Sequence, residues 1–110
     1  MIKPYNILAP STRINMPAAA SNPFVLLTSP NHCKLGVTNL VVEIVGDYFT
    51  GTCDVSFGYD VAVNHFIVIN NKLIEATISI APEAFASYKS IVVSTPDGSG
   101  ALHKGFLVMH

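Results

Sequence analysis

The 110-residue chain is predicted to be an all-β, two-layered antiparallel sandwich preceded by an extended N-terminal arm. Three observations predict it. Short runs rich in Val, Ile and Phe alternate with polar residues, turn residues fall between the runs, and no apolar period of 3.6 persists long enough for a helix. A single domain of this length buries roughly 65% of its unfolded surface, so a core forms without help from disulfides or metal.

Residues 1–23 form the arm. Pro4, Pro10, Pro17 and Pro23 interrupt them, and each proline fixes φ and removes a backbone donor. Ile2, Tyr5, Ile7, Leu8, Ile14 and Met16 make the segment too apolar for a solvated tail, so it is expected to lie in a groove of its own or a neighbouring molecule. The sandwich domain spans 24–110. Its first strand is predicted at 24–28, closed by Ser29-Pro30-Asn31. The next, at 40–45, stops at Gly46, and in 52–57 Cys53, Val55 and Phe57 share one face. Two short strands are expected at 61–63 and 66–69, with a hairpin at Asn70-Asn71, because Asn tolerates positive φ.

Residues 72–80 alternate most cleanly, placing Ile74, Ala76, Ile78 and Ile80 inward and Leu73, Glu75, Thr77 and Ser79 outward. One helical turn is expected at 82–87, where Pro82 suits a first helical position. The last strands are predicted at 89–94 and 105–109. A turn at Thr95-Pro96-Asp97-Gly98 begins the connection between them.

This order of signals resembles the IPT/TIG type of immunoglobulin-like domain over residues 24 to about 109. The motifs are Ser29-Pro30, Gly36, then Val42 and Ile44 before Gly46-Asp47-Tyr48-Phe49, and next Val55-Ser56-Phe57-Gly58. They continue with Ile74-Glu75-Ala76-Thr77-Ile78 and Pro82, then Ile91-Val92-Val93, Asp97-Gly98 and Phe106-Leu107-Val108. The resemblance implies an immunoglobulin-like sandwich that binds or spaces rather than catalyses. It does not extend to an antibody-type disulfide, since there is no Trp and Cys33 lies close before Cys53.

Charge narrows the function further. Lys3, Arg13, Lys34, Lys72, Lys89 and Lys104 are dispersed and the net charge is −1, which argues against a nucleic-acid partner. No apolar run approaches the ~20 residues of a membrane span, and prolines break any signal-peptide core. Charged residues make up only 12% of the chain, against ~25% in ordinary soluble domains, and mean hydropathy is +0.46. A surface so poor in charge is expected to rest against another macromolecule.

Chemistry-bearing residues do not gather. His32, His65, His103 and His110 lack metal-ligand spacing, Asp54, Asp60 and Asp97 are too scattered for calcium, and Cys53 is read as a packing residue. No cofactor, metal site or catalytic group is therefore expected, and the chain is read as a non-enzyme.

With Leu40, Val42 and Ile44 filling the core, Val41, Glu43 and Val45 point outward, as do Leu73, Val92 and Leu107. The expected protein interface is Val41, Val45, Leu73, Val92 and Leu107, with Ile7, Leu8, Ile14 and Met16 from the arm. The function this favours is a structural or assembly subunit that binds its own copies or a larger particle. A phage-type virion decoration, tail or accessory capsid protein is the first setting, and hence a virion location. The alternative is a surface-exposed, immunoglobulin-like module that binds a carbohydrate or other ligand, its ligand loop formed by Tyr59, Asp60, Asn64 and His65.

Overall fold

The computed structural model describes residues 21–110. Among the described residues the β-branched runs form eight strands in chain order: β1 (Phe24–Ser29), β2 (His32–Lys34), β3 (Leu40–Asp47), β4 (Asp54–Ser56), β5 (Val61–Asn70), β6 (Leu73–Ile80), β7 (Tyr88–Thr95) and β8 (Gly98–Met109). There is no helix among the described residues. Two four-stranded sheets result, ordered β1–β3–β6–β5 and β2–β8–β7–β4.

Alternation decides what lies between them. Val42 and Ile44 of β3 and Ile74, Ala76 and Ile78 of β6 are fully buried, and from the second sheet they meet Ile91, Val93, Phe106 and Val108. Phe57 meets Phe106 edge to face, with ring centroids 5.4 Å apart and planes at 87°. The Thr28 hydroxyl crosses the layers and donates to the Gly105 carbonyl at 3.0 Å. The expected phases of β3 and β6 hold.

One close approach sets the geometry around the first sheet. A Cβ on Gly46 would overlap the Phe24 carbonyl and come within 2.6 Å of the Phe49 ring. Glycine there lets β1 pass against β3 while Phe49, fully buried, enters the core from the loop that follows.

Five expectations are corrected. The sandwich is not wholly antiparallel, because β2 runs parallel to β8, pairing His32 with Leu107, Cys33 with Val108 and Lys34 with Met109. The two strands expected at 61–63 and 66–69 are one, β5, broken in register between Val63 and His65, where a bulge resets the alternation. The final strand starts at Gly98, not 105. Thr95 pairs with Gly98 across a Pro96-Asp97 tip, so what reads as a connection is a hairpin arm.

The helical turn at 82–87 does not form. The Ala84 amide donates to the Ala81 carbonyl at 3.1 Å, but the next amide, on Phe85, donates to the Asp60 carboxylate instead of continuing the helix. Finally, Cys53 is exposed and lies just before β4, so it is not the packing residue expected. Its amide and its thiol both face the Ser94 carbonyl, at 2.9 and 3.4 Å. Cys33 and Cys53 are both free thiols, Cys33 buried. Residues 1–20 of the arm, with Ile7, Leu8, Ile14 and Met16, lie outside the described residues.

Candidate functional site

The first sheet has a filled inner face, so its outer face is what it can offer to another molecule. Register aligns that face into cross-strand rows. One row carries Leu27, Val45 and Leu73, the next Ser29, Glu43, Glu75 and Ile67, and a third Val41, Thr77 and His65. Leu27 is 44% exposed, Val41 50% and Ile67 53%, while Val45 and Leu73 are half-buried among them. Leu26 and Ile69 are exposed at the bulges in β1 and β5.

Glu43 and Glu75 stand directly opposite each other in the middle of this apolar surface. Like charges in facing positions weaken a sheet. Among the described residues the ion pair within 4 Å is Lys89–Asp60, on another part of the molecule, so neither glutamate has a cationic partner there.

The expected interface residues therefore divide. Val41, Val45 and Leu73 share the outer face of the first sheet. Val92 pairs with Ala101 and Leu107 with Tyr88 in the second sheet, where both are half-buried on the opposite outer face. Leu107 lines a shallow groove of about 370 Å3 with His32, Tyr88, Lys104 and Met109.

The expected ligand loop divides as well. Tyr59 and Asp60 lie in the turn between β4 and β5, but Asn64 and His65 belong to β5 itself. Asn64 Nδ2 donates to Asn39 Oδ1 at 3.0 Å and to Ser79 Oγ at 2.9 Å, fastening β5 to the β2–β3 connection. His65 Nε2 lies 3.4 Å from Thr77 Oγ1 on the outer face already described.

Tyr59 and Asp60 instead join Phe85, Ala84 and Glu83 around a second groove of about 370 Å3, partly floored by Ala62 and Ala81. Tyr59 is 92% exposed and Phe85 71%. Both aromatics hang from one anchor. Lys89 Nζ donates to Asp60 Oδ1 and Oδ2 at 2.9 and 2.7 Å, and the Phe85 amide donates to Oδ2 at 3.3 Å. The hydrogen bond from Lys89 is the main reason the Asp60 carboxyl sits below its usual range.

Phe85 went unnoticed in the sequence. The signal that marks it is a lone aromatic inside Pro-Glu-Ala-Phe-Ala-Ser, where no strand period requires one. Among the described residues no group of three or more His, Cys, Asp or Glu side chains comes together to hold a metal ion. Among them no helix is long and apolar enough to cross a membrane. No protein-family model matches the chain, and no curated protein matches it.

Proposed function

We propose that the chain is a non-enzymatic assembly subunit, an immunoglobulin-like sandwich that attaches to its own copies or to a larger particle through the outer face of its first sheet. The observation that carries this is the placing of Val41, Val45, Leu73, Leu27 and Ile67 in adjoining rows on the side away from a complete core. Contiguous apolar patches beyond a few hundred Å2 on a small domain mark contact sites. A standard interface takes ~800 Å2 from each partner, and the apolar half of one side supplies roughly 10 kcal/mol before association costs.

The immunoglobulin-like assignment draws support from two facing four-stranded sheets and from the Gly46-Asp47-Tyr48-Phe49 corner that delivers Phe49 to the core. Small size and 12% charged residues suit a subunit repeated many times, and a phage-type virion decoration, tail or accessory role is the setting we assign by analogy.

Light scattering tests the proposal. The native chain is expected to exceed a monomer in mass, and Val41→Lys with Val45→Lys should return it to one. A native chain that stays monomeric at high concentration refutes attachment to its own copies.

A second reading has its own observation, the Tyr59–Phe85 groove. Two exposed aromatics over an alanine floor, with the Glu83 and Asp60 carboxylates at its edge, suit the apolar face and hydroxyl donors of a sugar ring. Selective binding on a glycan array, lost in Tyr59→Ala, would promote it.

A further inference from the structure

Among the described residues no cation pairs with the acidic centre of the proposed face, and that chemistry specifies its occupant. Glu43 and Glu75 oppose each other at its centre, and Val41, Val45, Leu73 and Leu27 occupy the rows on either side. A partner that covers this face with apolar side chains alone would strand two carboxylates away from water, which is costly unless cations reach them.

Those cations exist in this chain. All seven acidic residues fall within 21–110, against four of the six lysines and arginines, a net charge of −3. Residues 1–20 hold the other two, Lys3 and Arg13, and no acid at all. The same segment carries Ile2, Tyr5, Ile7, Leu8, Ile14 and Met16, so it matches the face in both charge and hydropathy. Twenty residues reach up to roughly 70 Å when extended, ample to span a neighbouring sheet.

The route of the chain decides which copy is covered. Just before β1, the Asn22 side chain packs against Gly98, and the Pro23 carbonyl lies where a Cβ on Gly100 would go. Both glycines belong to β8, in the second sheet. The chain therefore enters β1 from the second-sheet side, and residues 1–20 would have to wrap around the β1 edge to lie on their own outer face. A neighbour's face requires no such reversal.

We infer that residues 1–20 of one copy dock on the outer face of the first sheet of another, with Lys3 and Arg13 answering Glu43 and Glu75. This rests on the proposed assembly role and names the partner of that face. Docking through an apolar segment with matched charges is a known way for chains to exchange elements.

Charge reversal in the full chain tests it. E43K/E75K changes two outward-pointing side chains, and K3E/R13E changes only the segment, so unaltered circular dichroism is expected for both. Each variant alone should self-associate more than about tenfold more weakly than the native chain. An equimolar mixture of the two should associate again, because the segment of each then meets an opposite charge on the other.

Recovery in the mixture supports exchange between copies. If K3E/R13E associates normally while E43K/E75K does not, the face stands and the segment is overturned as its occupant. If only the single chain carrying all four changes recovers, the segment covers its own copy and exchange is overturned. A native chain that is monomeric overturns attachment between copies, and with it this inference.

Discussion

Asp60→Asn tests the anchor beneath the aromatic groove. The side chains of Lys89 and Asp60 are 8% and 13% exposed, and the ammonium bonds both carboxylate oxygens, at 2.7 and 2.9 Å. Asn keeps the size and one acceptor but removes the charge, leaving a buried ammonium half satisfied. Breaking a buried pair by deleting one partner costs about 3–5 kcal/mol. The retained acceptor and the partial exposure bring the expectation to about 2–3 kcal/mol, near 10 °C in Tm for a domain of this size.

The pH dependence fixes the cause. Lys89 and the Phe85 amide hold the folded Asp60 carboxyl below its ordinary value, so folding favours the ionised form. The contribution is present in full above the unfolded pKa, about 4, and is lost as the pH falls through the lowered folded value. Urea denaturation from pH 7 to pH 2 should show the gap between native and Asp60→Asn closing below about pH 4. A gap under 0.5 kcal/mol at neutral pH, or one that does not narrow in acid, would refute this account. Lys89→Met lets Asp60 hydrate at the rim and should cost less, and the double variant should recover part of the loss.

Gly46→Ala places a methyl group into the Phe24 carbonyl and the Phe49 ring, so β1 must move or Phe49 must leave the core. A loss of about 3 kcal/mol or more is expected by chemical denaturation. Phe57→Ala removes a fully buried ring that contacts Phe106 and should cost about 3–5 kcal/mol, measured the same way. Of the two thiols, exposed Cys53 should react at once with a disulfide reagent. Cys33, buried and with its thiol pushed up by burial, should react only as the fold opens; equal rates would contradict its placement.

What was legible in the sequence is what local periodicity encodes. The alternation in β3 and β6 placed Val42, Ile44, Ile74, Ala76 and Ile78 inward, and each is fully buried. The same phase exposed Val41, the residue on which the candidate face was first recognised. β2 was invisible because three residues carry no period, and its partner Leu107–Met109 lies at the far end of the chain. The length of β5 was obscured by the bulge after Val63, which shifts the side-chain phase in mid-strand. The first half of β8 reads as a loop because Gly98 and Gly100 dilute its apolar residues. Phe85 could not be placed beside Tyr59, because the Asp60–Lys89 pair that joins their turns spans 29 positions.

The strand order also has a consequence for how the protein is made. Every described strand of the first sheet lies between residues 24 and 80, whereas β7 and β8, the centre of the second, occupy 88–109. Synthesis thus completes the described strands of one layer, greasy on its inner side, before the central pair of the layer that shields it exists. At roughly 5–20 residues per second the wait lasts a few seconds. Chains truncated near residue 85 should consequently be far more prone to chaperone capture and clumping than their length alone would suggest.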